Sequence, residues 1–239
     1  MDGFQAFDSY EYDAAVLPML SSLRKAPAAP VEGLIERRLE AQQSLVVTKL
    51  AAGFDDACVE RLGHIVEDVV AGRRGRIKYL VFDFAHHMER DSEGGQGFDQ
   101  LIRAVADLVL DVPIVSVASV RADLSGADLE LALACNVMVA EPGRRFSFAA
   151  DPAVSLATYG FLSQKIGFVR AERLMERGAS LDAVQMNELL LVKSLLEPNL
   201  GFAGLEQFLD RSVRRHNSTY GIYRAQRIAH PTLIQALSA

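Results

Sequence analysis

The sequence predicts an α/β domain on a largely parallel sheet, followed by a helical C-terminal region. Three observations support this. From Leu45 to Ala140, short apolar runs of strand length alternate with longer stretches of helical periodicity, the pattern of strands joined by crossover helices. After Ala157 the strand-like runs stop and helical periodicity takes over. At 239 residues, half of them hydrophobic, the chain can bury a sizeable core without disulfides or a structural metal.

Residues 1–44 read differently from the rest. Ala/Pro clusters, including Ala26-Pro27-Ala28-Ala29-Pro30, separate polar segments, and Gly33 to Gln43 reads as a charged helix. This stretch is expected to be a variable lead-in. The core is expected over 45–192. Leu45 to Leu50 reads as a strand, and Asp55 to Ala71 as a helix with Val59, Leu62, Val66, Val69 and Val70 on one face and Gly72 as its stop. Tyr79 to Phe84 is the next strand and Phe98 to Leu110 the next helix. Val112 to Ala118 is a third strand, with Pro113 near its start, where a missing N–H matters least. Gly126 to Ala134 reads as a short helix and Asn136 to Ala140 as a fourth strand. Helices are then predicted over Thr158 to Ile166, Arg170 to Arg177 and Ser180 to Leu189. Pro198, Gly201 and Gly204 make a joint before the region 193–239, where helices are predicted over Gly204 to His216 and Thr219 to Ala229.

Charge and cysteine usage narrow the function classes. A net charge of -6 argues against a nucleic-acid partner bound through bulk charge. No run reaches the roughly 18 apolar residues of a membrane span. Acids at Asp2, Asp8, Glu11 and Asp13 stand where a secretory signal needs positive charge. Cys58 and Cys135 make no disulfide framework, so a reducing, cytoplasmic setting is expected. The basic run from Gly72 to Lys78 reads as a solvated turn or as a phosphate contact.

The informative segment is Val112 to Ala140. A buried strand runs through Ser125-Gly126-Ala127 into a helix bearing Glu130. Backbone N–H groups at a helix start can hold a developing oxyanion, and a carboxylate one turn inside can exchange a proton with what they hold. An ordinary β-to-α turn with a solvent-facing Glu gives the same spacing. His86-His87, at the end of the second strand, could offer a base near neutral pH. Only one of two adjacent residues there can face a cleft, and a solvated loop accounts for them equally well. No Cys/His spacing resembles a zinc site.

The run from Val112 to Ala118, then Leu124-Ser125-Gly126-Ala127-Asp128-Leu129-Glu130-Leu131-Ala132-Leu133-Ala134-Cys135-Asn136, resembles the enoyl-CoA hydratase/isomerase (crotonase) superfamily. Its pattern there is a P-x-I-A strand, then G-G-G-x-E-L-A-L-A-C-D. Phe146 stands at the family's following Phe, and the stretch from Gly178 to Leu191-Val192 resembles its helix ending in G-L-V. Tyr159 to Lys165 and the Arg/His-rich C-terminus resemble the diffusible-signal-factor synthase branch. The resemblance implies a spiral ββα core and a ligand that is an acyl thioester, on CoA or an acyl carrier protein. It implies no cofactor beyond that ligand, and C-terminal helices that build a homotrimer or a dimer of trimers. Residues 193–239 carry Phe202, Leu205, Phe208, Leu209, Val213, Tyr220, Ile222, Tyr223 and Ile228, more apolar side chains than such helices can bury alone.

Carried over by position, the two oxyanion N–H groups map to Phe98, in Gly97-Phe98-Asp99, and to Ala127. The first catalytic carboxylate maps to Glu130. The second falls on Ala150, in Phe146-Ser147-Phe148-Ala149-Ala150, so the two-carboxylate machinery of a hydratase is incomplete. Asp151 lies one residue on, where it could serve another reaction or turn the chain before Pro152. The family's glycines have become Ala122, Ala127 and Asp128. Ala127 requires a negative φ, and Asp128 sets a second anion beside the expected enolate unless it is turned away. Two readings follow: a thioester-processing enzyme relying on Glu130 alone, or a catalytically degenerate protein of this fold that binds a ligand or partner.

Overall fold

The computed structural model describes residues 33–50, 53–86, 95–148 and 156–230. Its main sheet has six strands in the order β1-β2-β3-β4-β6-β9. These are β1 (Leu34–Leu39), β2 (Ser44–Lys49), β3 (Tyr79–Phe84), β4 (Val115–Val120), β6 (Val137–Ala140) and β9 (Ser194–Leu195). All neighbours are parallel except β1, which runs antiparallel to β2. A second, small sheet joins β5 (Leu124–Ser125), β7 (Arg145–Ser147) and β8 (Ser180–Asp182) in that order.

The parallel strands are apolar on both faces because both faces are covered. One core packs Leu45, Val47, Leu80, Phe82 and Ala118 against α1 (Asp56–Val70), α2 (Phe98–Asp111) and α3 (Gly126–Ala134). The opposite face presents Val46, Val81, Val117 and Val139 to Leu205 and Leu209 of α7 (Phe202–Val213). The remaining helices are α4 (Leu156–Ile166), α5 (Phe168–Glu176), α6 (Ala183–Glu188) and α8 (His216–Ala229).

Most predicted elements stand where periodicity placed them, and the exceptions have physical causes. Gly33 to Gln43 is no helix: it forms β1 and the turn into β2. The buried strand β2 would otherwise leave a row of backbone groups without partners, and β1 supplies them. The strand expected from Val112 begins at Val115. Val112 still caps α2 by donating its N–H to Leu108 O, and Pro113 has no N–H for the ladder. The helix expected from Ser180 loses its first three residues to β8. Asp182 then caps α6, exchanging backbone and side-chain bonds with Gln185. The basic run of 72–78 is a turn whose Arg73 and Arg74 are ion-paired, both with Asp68 and Arg74 also with Glu36.

The apolar surplus of the last two helices is mostly spent inside this chain. Leu205 and Leu209 are fully buried, and Phe202, Phe208, Val213, Tyr220 and Tyr223 pack against the same face of the sheet. Ile222 and Ile228 stay exposed on α8. No helix among the described residues is long and apolar enough to cross a membrane.

Candidate functional site at the first turn of α3

The helix α3 is buried on every side from Ala127 to Ala134, as expected for a helix apolar all round. Its start needs one left-handed residue, and Gly126 takes it with φ of 50°. Ala127 keeps a negative φ, so its Cβ is accommodated without strain. Its N–H belongs to the first turn, which has no intrahelical acceptor. Glu130 lies one turn on, on the same side of the helix, and is only 7% exposed. The solvent-facing reading of Glu130 is thereby overturned.

Asp128 is 4% exposed and faces Lys49, the last residue of β2, with Nζ to Oδ1 at 3.1 Å. The extra anion feared from the sequence is thus matched by a buried cation. Lys49 also lies over the Phe54 ring, 4.5 Å from its centroid, a favourable cation–π placement. Phe54 in turn packs on Phe98, with ring centroids 5.0 Å apart. Side-chain contacts thus run from Phe98 through Phe54 and Lys49 to Asp128, the residue next to Ala127. The buried thiol of Cys58 feels the same group of charges. Burial pushes its pKa up to about 11, with Lys49 pulling it down and Asp55 and Asp128 pushing it further up.

The approach to Phe98 is tightly held. Gly95 donates its N–H to Phe54 O at 2.9 Å, and Gln96 donates to Asp56 Oδ1 at 2.7 Å. A Cβ on Gly95 would sit 2.7 Å from that carboxylate oxygen and 2.9 Å from Phe54 O, so only glycine fits. The Phe98 N–H donates to Gly95 O at 3.1 Å. Hence one of the two N–H groups mapped to the oxyanion hole already has an acceptor in this conformation. His86 is exposed just beyond β3. His87, Ala150 and Asp151 lie outside the described residues.

Sequence reasoning did not single out Lys49. Its only sign was a lone cation closing an apolar strand, Ser44-Leu45-Val46-Val47-Thr48-Lys49. It also passed over Asp83, a fully buried acid within β3. Arg121 holds Asp83 through Nε at 2.8 Å and Nη2 at 2.6 Å, and Thr48 Oγ1 donates to it at 2.9 Å. This pair lies on the α7 face of the sheet, where Phe202 stacks near Arg121 and under Arg37. Its part is to tie the C-terminal helices to the strand ends, away from Glu130.

With this geometry in hand, the comparisons with known proteins are informative. No protein-family model matches the sequence, and no curated protein matches it either. Solved structures do. An enoyl-CoA hydratase from Mycobacterium avium subsp. paratuberculosis K-10 superposes with a TM-score of 0.67 at 20% identity, covering 87% of this chain and 90% of that one. A monofunctional enoyl-CoA isomerase from M. smegmatis gives 0.66 at 22% identity, covering 87% and 95%. DspI from Pseudomonas aeruginosa gives 0.65 at 18% identity, covering 87% and 91%. The chain has the crotonase fold.

Proposed function

We propose that the chain binds an acyl thioester, on CoA or an acyl carrier protein, at the first turn of α3 and moves a proton on it with Glu130. The observation behind this reading is the placement of a buried carboxylate one turn from the Ala127 N–H, with Asp128 held by Lys49. The thioester oxygen would accept from Ala127 at the positive end of α3. Glu130 would take a proton from the α-carbon, leaving an enolate whose charge that N–H stabilises. A single carboxylate can return the proton at another carbon and so shift a double bond. Adding water needs a second carboxylate, and Ala150 stands in its place. The likeness of Tyr159 to Lys165 to the diffusible-signal-factor synthase branch favours a long acyl chain. Two buried free thiols fit the proposed cytoplasmic location.

A second reading is favoured by one observation, the Phe98 N–H already bonded to Gly95 O. With one oxyanion donor left, the site would bind a ligand or partner without turnover. Calorimetry with crotonyl-CoA and dodecenoyl-CoA tests thioester binding, and turnover separates an enzyme from a protein that only binds. Heat of binding is expected, strongest for the longer chain, and none at high micromolar ligand would favour the interaction reading. Hydration of crotonyl-CoA is expected to fall far below the ordinary enzyme range of about 1–10³ s⁻¹. Any double-bond shift should drop about 10²-fold or more in Glu130→Gln, with binding retained.

We also propose a homotrimer or a dimer of trimers. The crotonase resemblance supports it, together with the apolar side chains that α8 leaves exposed at Ile222 and Ile228.

A further inference from the structure

A cavity of about 430 Å³ opens at the C-terminal end of α3, between the start of β6, α4 and α8. Ala134, which lines it, stands about 10 Å along the helix axis from Ala127 and about 6 Å from Glu130. The cavity's charge is one-sided. Lys165, Lys193 and Arg227 line it together with His230, and among the described residues no Asp or Glu lines it. Among the described residues only Arg227 is neutralised, by Asp107 outside the lining, through Nε at 3.0 Å and Nη2 at 2.6 Å. Lys165 gives one of its three donors to Cys135 O at 3.1 Å. Lys193 gives one to Tyr223 Oη at 3.2 Å and lies over that ring. Neither lysine forms an ion pair with an acid among the described residues. Asn136 uses its Oδ1 on the N–H and hydroxyl of Ser116, which keeps its NH₂ group for another acceptor. The apolar side chains of Met138, Phe161 and Leu191 complete the lining.

We infer that this cavity is a second binding site, separate from the α3 first-turn site, for a compact organic anion whose phosphate or carboxylate head sits among Lys165, Lys193 and Arg227. Its small apolar body would lie against Met138, Phe161 and Leu191. Lys165 and Lys193 are both solvent-exposed, and each keeps two further donors for a bound anion. An anion in the cavity would take charge-assisted hydrogen bonds from them.

The inference is independent of the thioester reading and has its own test. Calorimetry on the full chain at low salt, with pyrophosphate in one arm and citrate in the other, should give one saturable site. The tighter of the two identifies the head group as phosphate or carboxylate. The double variant Lys165→Gln/Lys193→Gln should weaken that binding about tenfold or more, the loss expected when two charge-assisted bonds go. Lys165→Arg/Lys193→Arg should retain it, and Glu130→Gln should leave it unchanged. In the unaltered protein, the tighter anion should shift the side-chain amide signals of Asn136 and Gln164 in NMR spectra and leave the Ala127–Glu130 backbone signals in place. No saturation in either arm at millimolar anion would overturn the inference. So would equal binding by the Gln double variant, or signal shifts centred on Ala127.

Discussion

Lys49 closes a strand and Asp128 opens a helix 79 residues later, yet they meet at 3.1 Å in the core. A buried pair is costly to break from one side, because the charge left behind has lost its water. Lys49→Met should therefore lower unfolding free energy by about 3–5 kcal/mol, whereas Lys49→Met with Asp128→Leu should recover most of that loss. Urea unfolding of the three proteins measures it, and an additive double variant would show that the two charges do not act as a pair. The thiols make a second prediction at this scale. Burial pushes Cys58 up to about 11 and Cys135 up to about 12, from an ordinary 9.0. Both should resist thiol reagents at pH 8 until the chain unfolds, and rapid modification of the folded protein would contradict that. Between pH 9 and 11 the folded chain keeps a proton at Cys58 that the unfolded chain releases. That contribution to stability therefore falls as pH rises through this window.

Among the elements, α1 bears on the site because its first turn fixes the path to Phe98. Asp55 caps it by accepting from the Cys58 N–H at 2.7 Å, and Asp56 holds Gln96. Asp55→Ala should cost about 1 kcal/mol of stability, readable as a lower urea midpoint with an unchanged slope. Asp56→Ala acts differently: it frees the Gln96 N–H, so its effect should appear in ligand binding at the α3 site more than in stability. The edge strand β1 shows why local charge misled. Its Glu36, Arg37 and Arg38 suit a helix in isolation, but pairing with β2 from Leu34 to Leu39 satisfies that strand's open side.

For the whole molecule, the placement of α7 sets the expectation for assembly. It covers Val46, Val81, Val117 and Val139, so truncation before Gly201 should aggregate the chain by baring a sheet face. Light scattering on the intact chain should give three or six times 26.1 kDa if the proposed trimer forms. A stable monomer at micromolar concentration would mean that α7 and α8 serve only their own core. Ile222→Glu with Ile228→Glu should then matter little, whereas in a trimer joined through α8 it should lower the mass.

The sequence alone determined the alternation of β2, α1, β3, α2, β4, α3 and β6, because period-2 and period-3.6 patterns and buried apolar runs are local properties. It also placed Glu130 and Ala127 one turn apart, since helical spacing is read directly from residue numbers. Only the tertiary structure brought Lys49 to Asp128 and Asp83 to Arg121, because a charge's partner depends on which strands become neighbours. The same holds for β1, β8 and β9, strands of two to six residues whose identity comes from the edge they complete and not from their own pattern. The cationic cavity belongs there too: Lys165, Lys193 and Arg227 come from separate segments, and only folding sets them around one volume.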